Sequence, residues 1–579
     1  MKKNDYIELK DSLSSILSSR QKKLMKTLAI FMMLGMFLEI FFLQNLLVLL
    51  NYLSNSYDNT PVFVKKIGEF IDLEKETYLI LFLFICTFLI KTLFSIFLKF
   101  KESNFIFNLK AEISERLFLG YLNLPLIFHQ RTNTAKLLKN ITFEVDQFSI
   151  LIFALTTFFL EFIVLVGISI YLLNFNFYIS LFCILSFFLF GYFFNAFNKK
   201  KLKVMSMQRL KHQDDRIKSI IEGLGGLREI KLWSKENNIF KRFSYHNNFL
   251  ANISISTSLR NALTKPAFEI FLILVISIFL FIFIARDSLN SSTIPTLGIY
   301  LAAAYRLLPS IAKIVQSIQS FQFNQKCAKN LNDDVQKFKN KSDGKNVVKK
   351  SLNFENFIKV KDLNFSYENT DLNNTLVLKG VNLEINKGDC VGLQGESGSG
   401  KSTLIDLIIG LQSPSQGEIL VDQSNIKDNL KDWQNLIGCV PQEVFILDDT
   451  LKKNIAFGVA ENEISINKIR KSLKLSNLEA FVESLDNNID TIIGEKGSRL
   501  SGGQKQRIGI ARALYNDPKI IIFDESTNAL DIETEKKIIL EIKKFKREKT
   551  MIIISHKKET LDFCDYIYKI ENGKLSKNV

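Results

Sequence analysis

The strongest constraint on this chain is a series of apolar runs near 20 residues long, the length a helix needs to cross a bilayer core. Leu28–Leu50, Tyr78–Phe100 (interrupted by Lys91), about 150–173, about 175–197 and about 267–285 form five of them. A sixth, about 294–318, is apolar around Ala302–Ala304 and broken by Arg306, Pro309 and Lys313. Asn174 alone separates the third and fourth runs, which predicts a tight hairpin. Leu28–Leu50 starts too late, is too long and lacks a small-residue cleavage site, which excludes a cleaved signal peptide. Composition agrees: 51 Phe against 8 Pro, with a mean hydropathy of +0.11, exclude an ordinary soluble chain. The 6 cysteines are scattered without paired spacing, which excludes a disulfide scaffold.

A net charge of +16 suits nucleic acid, but its placement suits a membrane. Residues 1–26 carry seven Lys/Arg, which puts the N-terminus in the cytosol. Segment 51–77 has only Lys65, Lys66 and Lys75 among several acids, so it faces outward. Segments 99–149 and 198–266 are basic and face inward, and their helical patterning predicts membrane helices that continue into the cytosol. The excess therefore follows the membrane rule, and no nucleic-acid partner is expected. Residues 337–353, with six Lys flanking Asp343 and Gly344, read as a charged linker. From 354 short Val/Ile strands alternate with helices. The domains are thus 1–336, six spans with long cytosolic extensions; 337–353, linker; and 354–579, an α/β unit.

Chemistry concentrates in the α/β unit. Gly395-Glu396-Ser397-Gly398-Ser399-Gly400-Lys401-Ser402-Thr403 follows the apolar strand Cys390–Leu393 and opens a helix. That is the context a phosphate-binding loop requires. Glycines let backbone N–H groups converge on phosphate oxygens at a helix N-terminus, Lys401 reaches the outer phosphates, and the Ser402 hydroxyl ligates Mg²⁺. Downstream, Lys519–Phe523 is an apolar strand ending in Asp524 and Glu525. Asp524 fits a carboxylate on the Mg²⁺ side, and Glu525 is placed to orient or deprotonate an attacking water. The bland alternatives are a glycine turn and a strand capped by solvated acids; their coincidence in one domain weighs against both.

Leu500-Ser501-Gly502-Gly503-Gln504 then matches, without departure, the signature of ATP-binding-cassette proteins, and the chain resembles that family throughout. The resemblance implies an α-helical six-span membrane domain followed by an α/β P-loop nucleotide-binding domain, the exporter arrangement. It implies that Tyr367 stacks on adenine, that Gln442 touches Mg²⁺ and senses the membrane domain, and that His556 contacts the γ-phosphate. It also implies that Ser501, Gly502, Gly503 and Gln504 bind ATP held by the phosphate loop of a second copy, hence a homodimer with two ATP sites. Gly494-Glu495-Lys496-Gly497 is similar to a segment contacting cytosolic loops, and Pro125–Gln130 and Gly226–Trp233 look like coupling segments. Asn528, where the family usually has Ser, departs from the pattern. A DNA- or ribosome-directed ATPase lacks the spans, and a gated channel would not need Glu525.

The substrate rests on less. Arg306 and Lys313 are seven residues apart on one helical face, and Lys91 sits mid-span in the second run. Buried cations face a cavity or a partner, so they either line a substrate site or pair with Glu39, Glu161 or Glu269. Residues 61–73 read as an external amphipathic helix, with Phe63, Ile67, Phe70 and Ile71 opposite Lys65, Lys66, Glu69 and Asp72. With Ala304–Ser310, these features are similar to bacterial flippases of lipid-linked oligosaccharides. That implies transport of a polyisoprenyl-pyrophosphate glycan between leaflets of the bacterial inner membrane; an exporter of lipid, peptide or drug is the alternative.

Overall fold

A computed structural model of the chain describes residues 13–53, 73–174, 177–285, 293–342, 352–367, 376–494, 497–525 and 532–578. The expected external helix at 61–73, apart from its last residue, lies outside them, as do Glu495, Lys496 and Asn528. The chain divides into two units, Met1–Leu124 with Arg131–Gly344, and Pro125–Gln130 with Lys345–Val579.

The first unit is built from long helices: α1 (Ser19–Leu53), α2 (Leu73–Leu122), α3 (Val145–Leu173), α4 (Phe177–Gly225), α5 (Glu236–Ala285) and α6 (Thr293–Ser342). A helix of 50 residues, such as α2, is about 75 Å long at 1.5 Å per residue, against an apolar core of roughly 30 Å. The helix is thus longer than an apolar bilayer core is thick. Phe37, Phe82, Phe193 and Phe281 point outward from α1, α2, α4 and α5, as side chains facing lipid do. Among the described residues five helices are long and apolar enough to cross a membrane. The sixth expected span falls in α6, which is not among those five; Arg306, Ser310 and Lys313 lie on one face of it. Residues 337–342, expected in the linker, continue α6, and Lys337 pairs with Asp334 one turn back at 2.7 Å. The two expected coupling segments contain short helices, Leu126–Arg131 and Leu227–Leu232.

The second unit has two sheets. One is antiparallel, in the order β2-β1-β4-β5, from β1 (Phe357–Phe365), β2 (Leu378–Asn386), β4 (Gln416–Val421) and β5 (Ser424–Asn425). The other runs β10-β9-β3-β8-β7-β6, from β3 (Cys390–Gln394), β6 (Ile437–Val440), β7 (Ile520–Asp524), β8 (Thr550–Ile554), β9 (Tyr566–Glu571) and β10 (Lys574–Asn578). Its strands from β9 to β6 are parallel, and only the β9–β10 hairpin is antiparallel. Continuous Ile runs in β7 and β8 are buried on both faces, as a parallel sheet between helices requires. Helix α7 (Lys401–Ile409) buries Leu404, Leu407 and Ile408 between the two sheets. Helices α8 (Gly502–Leu514) and α9 (Ile532–Lys544) cover the opposite face through Ile510, Ile538 and Ile542.

Candidate nucleotide and transport sites

In an open parallel sheet, ligands bind beyond the carboxyl ends of the strands. Four neighbouring strands place the expected residues along that edge. The phosphate loop follows β3, His556 follows β8, Asp524 and Glu525 end β7, and Gln442 follows β6. The sequence gives these residues across some 160 positions; the strand order makes them neighbours.

Gly398 and Gly400 adopt φ of +81° and +107°, which a side chain resists. A Cβ on Gly395 would meet the Ile570 carbonyl oxygen at 2.6 Å, so the loop has no room there. Lys401 is buried and donates back to the carbonyls of Gly395 and Glu396 at 2.8 and 2.9 Å. Its ammonium is thus held over the loop. Tyr367 is half-buried; its hydroxyl hydrogen-bonds the Thr403 hydroxyl at 2.9 Å and its ring meets Phe365 edge-on.

Ser402 hydrogen-bonds Asp524, yet burial, followed by the adjacent charge of Glu525, holds the Asp524 carboxyl above the usual carboxylate range. Two neighbouring acids with too little compensating charge invite a cation. Glu525 is the hub of the edge: its Oε2 accepts from Gln442 Nε2 at 3.0 Å, and its Oε1 lies 2.9 Å from His556 Nε2. It sits at φ +48°, a conformation that costs a non-glycine residue free energy and is found mostly where function holds it. Sequence reasoning named these three residues separately and missed their convergence on one carboxylate.

Ser501 caps α8: its hydroxyl accepts from Gln504 N, while Ser501 N donates to Gln504 Oε1 at 2.8 Å. Ser501 and Gly502 are exposed and Gly503 and Gln504 half-buried, so this positive helix end is open to a ligand from outside.

The first unit has an open cavity of about 740 Å³ between α3, α4, α5 and α6, walled by Phe162, Phe187, Phe188, Val275 and Leu308 among others. Its polar groups are few, notably Asn195 and the Ser180–Tyr300 hydroxyl pair at 2.8 Å. Sequence reasoning missed it, although the i, i+4 ladder Ile179, Cys183, Phe187, Gly191, Asn195 on α4 is a signal for it.

Lys91, Arg306 and Lys313 are not among the residues that wall this cavity. On α6 the wall is Ala304, Leu307, Leu308, Ile311 and Val315, and Arg306 and Lys313 lie on the opposite face. There they meet the acids. Lys91 Nζ is 2.8 Å from Glu39, Arg306 Nε 2.9 Å from Glu39, Arg306 Nη1 3.4 Å from Glu161 and Lys313 Nζ 2.6 Å from Glu161. Ser310 donates to Glu161 at 2.7 Å, and Lys91 lies over the Phe42 ring. The third candidate acid, Glu269, instead pairs with Lys265 on its own helix.

Fold and site together define a helical membrane domain fused to a phosphate-loop ATPase with a cassette signature. Comparison with known proteins agrees along most of the chain: residues 25–304 match the ABC transporter transmembrane region and residues 378–528 the ABC transporter domain. The chain belongs to the ATP-binding-cassette transporters; it is a half-transporter of exporter fold that binds ATP and couples its hydrolysis to transport. It is 27% identical over 485 residues to an ATP-dependent lipid A-core flippase of Ralstonia nicotianae, covering 83% of this chain and 80% of that one. It is 27% identical over 463 residues to a protein of the same description from Escherichia coli (strain K12), covering 79% and 78%. Among solved structures, a bacterial Atm1-family ABC exporter with ATP bound superposes with a TM-score of 0.77 over 96% of both chains, at 20% identity, which speaks for the fold.

Proposed function

We propose that the chain works as a homodimeric flippase, carrying an anionic lipid-linked substrate from the inner to the outer leaflet of a bacterial inner membrane. The observation that carries this reading is the apolar cavity between α3 and α6, whose size and aromatic walls suit lipid chains better than a polar solute. A polyisoprenyl-pyrophosphate glycan is the first substrate reading. The lipid A-core named for the relatives is the second, and both place chains in the same cavity. Three cations against two carboxylates leave the Glu39–Glu161 cluster one formal positive charge. Lys313, 51% exposed, is the ammonium able to meet a phosphate. The N-terminus and the nucleotide-binding unit face the cytoplasm in this reading, following the Lys/Arg distribution.

Mg²⁺ fits the Ser402–Asp524 pair, because a divalent ion supplies the positive charge that the raised Asp524 carboxyl lacks. Gln442 completes the set. When bound, the ion neutralises charge developing on the transferred phosphoryl group. Lys401 and the loop amides hold the phosphates, Tyr367 stacks on adenine, Glu525 orients and deprotonates water, and His556 contacts the γ-phosphate.

The dimer follows from one phosphate loop and one exposed signature per chain. Ser501→Arg and Lys401→Ala homodimers are expected to be inactive, whereas mixing the two restores one intact site. A mixed preparation with no recovered ATPase would overturn the shared-site arrangement. For the substrate, Gly191→Leu and Ala304→Phe fill the cavity and are expected to slow translocation of lipid-linked glycan in proteoliposomes roughly tenfold, the loss of ~1.4 kcal/mol of binding. Undiminished translocation in the double variant would remove the cavity as the lipid's route, and wild-type translocation no faster than in protein-free vesicles would remove the lipid reading and leave a peptide or drug exporter.

A further inference from the structure

Glu525 ends β7 and His556 follows β8, and these strands pair in parallel from Ile520 beside Thr550 to Asp524 beside Ile554. The pairing reaches the site, because Glu525 N donates to Ile554 O at 3.1 Å. After it the chain leaves the sheet through Ser555, His556 and Lys557. His556 sits in the middle of a tight turn: Lys557 N donates to the Ser555 hydroxyl at 3.0 Å, and Ser555 is buried. The other flank is tied by charge. Lys557 Nζ lies 2.5 Å from Oε2 of Glu535, which stands in the first turn of α9, the helix that follows the Glu525 segment. The Glu535 side chain is 9% exposed and that of Lys557 38%. Glu535 Oε1 has no hydrogen-bond partner among the described residues, so Lys557 and the positive end of α9 compensate its charge.

We propose that Lys557 and Glu535 are positioning residues for ATP hydrolysis: their ion pair clamps the turn that carries His556 onto α9 and so sets the imidazole beside Glu525. The clamp presupposes Glu525 as the base and His556 as the contact to the γ-phosphate. The His556 side chain is 43% exposed, so packing does not fix its ring and the backbone turn must. Helix α9 is a firm anchor for that turn. Its Ile538 and Ile542 bury in a core that includes Phe523 of β7 and Ile553 of β8. The clamp thus closes a circuit from β8 through His556 and Lys557 to α9 and back to the sheet. An exposed ion pair holds little, since water and salt compete for both charges. Here the carboxylate is buried, so that competition is weak and the contact is held. Such geometry matters to rate, because a misplacement of about 1 Å at a catalytic group can cost roughly 10²-fold. A tie that merely neutralises a buried acid would show in melting and leave turnover alone.

The test uses the full-length protein in detergent, with kcat, the KM for ATP and melting temperature read on one preparation, and turnover measured below the melting range of every variant. Glu535→Gln comes first, because it removes the buried charge and leaves the Lys557 ammonium free to turn to water. It is expected to melt close to wild type and to lose kcat about tenfold, with the KM for ATP within about twofold, since Lys401 and the loop after β3 are untouched. Lys557→Arg keeps the charge and should retain about half of kcat or more. Lys557→Met/Glu535→Gln should be no slower than Glu535→Gln, because two residues acting as one unit do not lose rate twice. Wild-type kcat in Glu535→Gln, whatever its melting temperature, would overturn the proposal. So would a Lys557→Arg protein as slow as Glu535→Gln, or a double variant slower by about a further tenfold. His556→Ala, measured alongside, separates the clamp from the role of the imidazole. If it turns over at the wild-type rate, the phosphate contact falls and the clamp with it. A slow His556→Ala beside a fast Glu535→Gln overturns the clamp alone.

Discussion

Glu525→Gln is expected to bind ATP normally while hydrolysis falls roughly 10²-fold or more, the scale of a lost general base. The amide is close in shape to the carboxylate, so the strand end at φ +48° and the contacts to Gln442 and His556 have no steric reason to change. What disappears is the negative charge that accepts a proton from water. Binding should continue because the groups proposed to hold phosphate, Lys401 and the glycine amides, belong to a different strand end. A dimer that binds without hydrolysing should therefore accumulate closed around ATP. The measurement pairs phosphate release at saturating ATP with retention of labelled nucleotide after gel filtration. Turnover at the wild-type rate would make Glu525 a bystander and move the basic role elsewhere on the sheet edge.

The nucleotide edge was legible in the sequence because its residues are fixed by local rules. A glycine loop between strand and helix, two acids at a strand end and a capped signature helix each announce themselves within ten residues. Their convergence is a property of strand order, which the sequence does not print: β3, β8, β7 and β6 are neighbours although β8 follows β6 by over a hundred residues. The membrane part was legible as apolar runs, but α6 was weaker there for the same reason it matters here. Its charged face is satisfied by acids on α1 and α3, a compensation visible only in three dimensions. The cavity was ambiguous there, since a ladder such as Ile179, Cys183, Phe187, Gly191, Asn195 looks the same whether it faces lipid, a neighbour or an empty space.

Arg306→Ala is the substitution that separates the two roles open to the basic cluster. Arg306 bridges Glu39 and Glu161, and with Ser310 it ties α6 to α1 and α3. Glu161 is 3% exposed, so losing one of its two cations leaves much of its charge uncompensated in a place water does not reach. Breaking a buried pair by removing one partner costs about 3–5 kcal/mol. If the cluster is chiefly a tie between helices, Arg306→Ala should lower melting temperature, expression and ATPase together. Removing the stranded charge should then recover part of the loss, so Arg306→Ala/Glu161→Gln is expected to melt above Arg306→Ala alone. If the cluster chiefly receives an anionic headgroup, the substrate supplies the countercharge and translocation in proteoliposomes falls about tenfold, for ~1.4 kcal/mol of lost contact, while melting is preserved. All three cations have carboxylate partners in place, and Lys313, 51% exposed, is the one an anion can also reach. Lys313→Ala leaves Arg306 beside Glu161 and Lys91 and Arg306 on Glu39, so it should melt between wild type and Arg306→Ala while losing translocation. A Lys313→Ala protein that melts low and still flips its lipid at full rate would give all three cations to the fold and none to the substrate.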